Sequence, residues 1–152
     1  MNDGSIDRGG SARGEDVELA AIDETPGLRY ARALGDALDQ FLRHFGHAVE
    51  LTEQVAVEKT LAYDPVWQKE YGQAVREMRA AGNRIEQRKA LPPPFRALAR
   101  LAEPVGHDMV HIAERFAAGE PLRALRRYEA FHRHFAPVTA EIDRIASSGG
   151  PG

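Results

Sequence analysis

The chain has 152 residues, 43% hydrophobic and 28% charged, which suits one globular domain and excludes a fibrous or wholly disordered protein. It contains no cysteine, so disulfides, thiolate nucleophiles, zinc fingers and cysteine-held iron–sulfur clusters are excluded. The formal charge of −3 is unevenly spread: residues 1–26 hold seven acids against Arg8 and Arg13, which leaves the remainder with a small positive excess.

Residues 1–25 carry Asp3, Asp7, Glu15, Asp16, Glu18, Asp23 and Glu24 among glycines and few large apolar groups. Such a segment buries too little surface to offset its ordering entropy and is expected to be a disordered acidic tail. Val17, Leu19, Ala20 and Ile22 suit one transient helical turn within it. Met1-Asn2-Asp3-Gly4-Ser5 has neither the basic start nor the apolar run of a signal peptide. No stretch approaches the roughly 18 apolar residues of a membrane span. A cytoplasmic chain without a membrane partner is the expectation.

After Pro26-Gly27 an apolar stripe recurs every three or four residues: Ala31, Leu34, Leu38, Phe41, Phe45, Ala48, Thr52 and Val55. This spacing predicts a long amphipathic helix running to about Ala62. Tyr63-Asp64-Pro65 ends it, with Asp64 suited to cap the next helix and Pro65 to open it. The second stripe is Trp67, Tyr71, Ala74, Met78, Ala81 and Ile85, closed by an extended Leu91-Pro92-Pro93-Pro94 connector. The third is Phe95, Leu98, Ala102, Val105, Met109, Ile112 and Phe116, ending at Gly119-Glu120-Pro121. The fourth is Ala124, Tyr128, Phe131, Phe135, Val138, Ile142 and Ile145. No segment alternates in the manner of a strand.

The predicted fold is therefore all-α: an antiparallel up-down bundle of about four helices over residues 26–146, with a flexible end at 147–152. Pro104 and Pro137 fall inside the third and fourth helices, where each is expected to kink or divide its helix. A break near Glu103-Pro104 would make five helices.

Six histidines are the first candidates for chemistry. His107 and His111 stand one helical turn apart, with Glu114 following; His44 and His47 stand three apart, with Glu50 following. Imidazole and carboxylate at such spacing can chelate zinc or iron. The outline resembles haemerythrin, but the ligand set of that family is missing: the second helix has no histidine, and His107/His111 is the one His-xxx-His pair. The Glu-xx-His pattern of a ferritin-like site is not expected on any helix. No metal and no cofactor are therefore expected; if a metal is present, His44, His47, His107, His111 and Glu114 are its candidate ligands. His107, His111 and Glu114 read as a solvated face, His44 and His132 as histidines at the core edge, and His47 and His134 as exposed. Histidines titrating near pH 6.5 would make the domain pH-sensitive.

Arg123, Arg126 and Arg127, with Arg133 nearby, form one basic patch, and Arg96 and Arg100 another. Either suits phosphate. The interleaved acids Glu120 and Glu129, and the absence of a recognition motif, make nucleic acid an unlikely partner and favour helical salt bridges. Trp67 and Tyr71 continue the second stripe and are read as core. Serine occurs only at Ser5, Ser11, Ser147 and Ser148, all in the expected flexible ends, and no phosphate loop or nucleophile elbow exists. The function expected is a non-enzymatic helical interaction or regulatory domain with a protein partner or a second copy, the alternative being a metal-binding or small-ligand sensor using the histidines. Leu42, Val49, Leu51 and Val57 fall outside the first stripe and point to a homodimer.

Overall fold

The computed structural model describes residues 26–86 and 91–147. The expectations for residues 1–25 and 148–152 lie outside these residues. Four helices pack against one another in sequence: α1 (Pro26–Val57), α2 (Pro65–Glu86), α3 (Pro93–Ala117) and α4 (Pro121–Ser147). No strand occurs among the described residues. Short connections between packed neighbours make the arrangement antiparallel, so the α1–α2 and α3–α4 connections share one end of the bundle.

The core is drawn mainly from the stripes read from the sequence, joined by Ala37, Leu51, Val75, Ala99 and Ala113 from beside them. Leu34, Leu38, Phe41 and Ala48 of α1 are buried, with Ala74, Met78, Ala81 and Ile85 of α2. Leu98, Ala102, Val105, Met109, Ile112 and Phe116 of α3 join them, with Ala124, Phe131 and Val138 of α4. Residue size then sets how closely the helices approach. On α2, Gly82 faces α3 so closely that an added Cβ would stand 2.7 Å from Val110 Cγ2 and 3.1 Å from the Gly106 carbonyl oxygen. Between α1 and α4 the space is filled by rings instead. Phe41 lies 5.0 Å from Phe131, and Phe45 stacks on Tyr128 at 4.2 Å.

Three local expectations are corrected. The first helix stops at Val57, not near Ala62: Glu58 is extended and Lys59–Tyr63 form a 3-10 turn with no buried residue, so no core face rewards continuing the helix. Asp64 does cap the next helix, accepting the Val66 amide at 2.8 Å. The triproline is not one extended connector. Pro92 alone is extended, at φ −61° and ψ 154°, and α3 begins at Pro93, because prolines cost little in a first turn whose amides lack partners anyway. Finally, of the kink or division expected at Pro104 and Pro137 the division does not occur, and α3 and α4 each run on as one helix. The carbonyls deprived of an amide belong to Arg100 and Arg133, both exposed residues that water can serve, while buried neighbours hold the helix on its inner side.

The residues offered as dimer contacts are mostly used within the chain. Leu51 is buried, and Leu42 and Val49 are half-buried against the core. A 32-residue helix flanked by α2 on one side and α4 on the other buries more than a single stripe. Only Val57 of the four stands free, at 90% exposure.

Candidate functional site

The histidines do not assemble into one site. His44 and His47 line a recess of about 480 Å³ on α1 with Arg43, Gly46 and Glu50. His47 Nδ1 stands 3.6 Å from Glu50 and its Nε2 3.3 Å from Glu70 of α2, so this side chain is half-buried and bridging rather than exposed. His44 is half-buried at the core edge, as expected; burial is the main cause lowering its pKa, Arg43 and His47 add to the fall, and Glu77 opposes it. His107 and Glu114 are exposed on α3 and His111 is half-buried in a different recess. Against expectation the fourth helix does carry one Glu-xx-His pair, Glu129 and His132, but both are exposed and no second helix supplies another. No group of three or more His, Asp or Glu side chains among the described residues could hold a metal ion.

His134 is exposed as expected, whereas His132 is not at the core edge. His132 is exposed, its ring edge-on to Tyr128 at 5.9 Å. His134 instead reaches a buried acid: its Nδ1 lies 2.7 Å from Asp108 Oδ2. Asp108 is 1% exposed and the one buried charged residue among those described. Its second oxygen accepts from Arg127 Nε at 2.8 Å. Arg127 and His134 are two turns apart on α4 and so share the face that α4 turns toward α3. A carboxylate this deep demands such partners, since an unpaired buried charge is costly.

Arg127 leads into a strongly basic recess. His111 and Arg115 of α3, with Arg123, Arg126 and Arg127 of α4, line a space of about 410 Å³ at the α3–α4 turn. The turn itself is built by backbone bonds. Gly119 adopts φ +74°, a conformation that only glycine takes without strain, and donates to the Phe116 carbonyl at 3.0 Å. The Glu120 amide then reaches back to the Arg115 carbonyl at 2.8 Å, completing a Schellman cap. This places the Glu120 carboxylate between two arginines: Oε1 accepts from Arg115 Nη1 at 2.9 Å and Oε2 lies 3.5 Å from Arg123 Nη1. The hydrogen bond from Arg115 is the main cause lowering the Glu120 pKa. Three guanidiniums thus meet two carboxylates with Arg126 beside them, and the planar N–H fork of arginine suits a further oxyanion.

The same end of the bundle carries the exposed apolar surface. Among the described residues, the large hydrophobic side chains left exposed are Val57, Tyr63, Val66, Leu122 and Leu125. The first three lie in the α1–α2 connection and its flanks, the last two in the opening turns of α4. Trp67 and Tyr71 lock this end together. They stack at 4.8 Å, and Trp67 Nε1 donates to the Leu51 carbonyl of α1 at 3.1 Å. The Tyr71 hydroxyl donates to the Phe116 carbonyl of α3 at 2.6 Å. Both are half-buried, and they border a recess of about 330 Å³ with Arg76 and Arg79. Among the described residues no helix is long and apolar enough to cross a membrane. No protein-family model matches the chain, and neither a curated protein nor a solved structure was found to be similar to it.

Proposed function

We propose that the chain is a non-enzymatic helical interaction domain that docks a polypeptide partner on the end of the bundle formed by the α1–α2 and α3–α4 connections. One observation carries this reading: the exposed large hydrophobics Val57, Tyr63, Val66, Leu122 and Leu125 gather at that end, whereas surface apolar residues on a monomer are normally scattered singly. Arg115, Arg123, Arg126 and Arg127 adjoin them, so the partner is acidic with apolar residues among its charges. The metal-sensor alternative gains no support from histidines divided between two recesses.

The test is selection of a random displayed-peptide library against the full chain and against a Tyr63→Glu/Leu122→Glu variant of equal thermal stability. Enrichment of acidic, leucine- or phenylalanine-containing peptides that the variant no longer holds is the expected result. No enrichment, or equal binding to both proteins, overturns the reading. A second copy of the chain is a partner of the same kind: light scattering that gives a dimer for the wild type and a monomer for the variant assigns the end to self-association.

A further inference from the structure

The recess at the α3–α4 turn has a composition that folding alone disfavours. Arg123 stands in the first turn of α4, with Arg126 and Arg127 in the second. Cations near a helix N-terminus oppose its dipole. Asp108 and Glu120 offset part of that charge, and how they do so matters. Asp108 engages Arg127 through Nε, which holds the guanidinium while leaving both Nη groups for another acceptor. Glu120 is shared between Arg115 and Arg123. Arg126 pairs with no acid among the described residues. A surplus of N–H donors therefore lines one cavity, with Arg127 anchored from below by a buried carboxylate.

We propose that this recess binds a phosphate monoester carried on a polypeptide side chain, which makes the docking partner a phosphorylated segment. The proposal rests on the docking reading and specifies the partner's chemistry. A phosphate monoester brings a charge near −2 and three acceptor oxygens, enough to engage Arg126, the free Nη groups of Arg127 and a shared Arg123 together. A single carboxylate would leave part of that set unmatched. The space of about 410 Å³ admits a phosphorylated side chain, and exposed Leu122 and Leu125 stand on the adjoining turns for an apolar neighbour. The arginines converge on one recess rather than tracking along the molecule, and no Phe, Tyr or Trp lines it to stack successive bases, unlike a nucleic-acid groove.

The experiment is fluorescence anisotropy with the full chain and a short labelled peptide holding one phosphoserine between leucines, its unphosphorylated twin, and a short single-stranded DNA as competitor. The phosphopeptide is expected to bind at least about tenfold tighter than its twin, with Arg126→Ala and Arg127→Lys each losing about tenfold, a difference of about 1.4 kcal/mol. Arg126→Ala is also expected to keep or slightly raise Tm, which a residue serving only stability would not do. Equal binding of the two peptides, or an affinity untouched by Arg126→Ala, overturns the proposal, as does DNA that displaces the phosphopeptide at lower concentration than the phosphopeptide's own Kd. The two readings fail separately. If the unphosphorylated twin binds as tightly and Leu122→Glu releases it, docking stands and the phosphate site falls. If Leu122→Glu changes nothing while Arg126→Ala abolishes phosphopeptide binding, the phosphate site stands and apolar docking falls.

Discussion

At the end of the bundle where α2 gives way to α3, several polar groups among the described residues are paired within the chain. Arg84 pairs with Gln40, which in turn donates to Glu77 at 2.5 Å, and Arg96 Nε donates to the Leu91 carbonyl at 2.9 Å. Ile85 is buried, and none of the exposed large hydrophobics among the described residues lies here. At the opposite end the same residue types are left over: leucines, valines and a tyrosine face water, and Arg126 pairs with no acid among the described residues. Folding requires the first arrangement and tolerates the second. The difference between the ends therefore separates what stabilises the chain from what is available for a partner.

The comparison breaks most readily at Arg127, which belongs to both categories. Removing one member of a buried ion pair costs about 3–5 kcal/mol, but Arg127 is 39% exposed and water can enter beside Asp108 once it is gone. Arg127→Ala is therefore expected to lose roughly 2–3 kcal/mol in urea unfolding, and Arg126→Ala to leave stability unchanged or raise it by less than about 0.5 kcal/mol. Equal losses at the two positions would mean that Asp108 does not anchor the recess. Gly82→Ala probes the close approach of α2 and α3 that serves the other end. Crowding against Val110 and the Gly106 carbonyl outweighs the gain in helix propensity, for a net loss of about 1–2 kcal/mol. A stabilised variant would show that α2 and α3 stand further apart.

Tyr71→Phe is a smaller test at the end that carries Val57 and Leu122. It removes the hydroxyl bond to the Phe116 carbonyl but keeps the stacking on Trp67, so about 1 kcal/mol is expected. Amide hydrogen exchange checks the location: protection should fall at Gly119 and Glu120, whose amides belong to the same turn, and stay unchanged around Ile85.

The four helices were readable because each needs one apolar face, and spacings of three and four residues reveal that face without knowledge of its partner. Leu98 through Phe116 shows this on α3, where Val105, Met109 and Ile112 are all fully buried. Asp108 was legible in part. It stands three residues after Val105 and four before Ile112, which puts it on the inward face. Its significance stayed hidden because its partners, Arg127 and His134, lie 19 and 26 residues further on, across a helix junction whose register periodicity does not specify. The Arg123/Arg126/Arg127 cluster was visible as a patch, but its concavity was not: that depends on Gly119 turning the chain so that Arg115 and His111 complete the wall. Val57 was recognised as surplus to the first stripe, whereas Leu51 was wrongly grouped with it, since a second flanking helix widens the buried sector.

The finest test concerns His44 and uses pH. Burial lowers its pKa in the folded chain below the unfolded value of 6.5, with Arg43 and His47 adding to the effect against Glu77. The unfolded chain then binds more protons than the folded one just below pH 6.5, so stability contributed by neutral His44 is present above 6.5 and lost as pH falls toward the folded pKa. A Tm profile between pH 7.5 and 5.5 should decline, and His44→Gln should flatten part of that decline by removing the group that must charge. His47→Gln sharpens the result. It removes a neighbour that disfavours the His44 charge, so the decline attributable to His44 should shrink as its folded pKa rises toward 6.5. Phosphopeptide affinity should not follow either substitution, because His44 and His47 lie in a different recess from Arg126. If affinity does change with them, the two recesses are coupled through α1, and the separation of stability from binding that distinguishes the two ends fails.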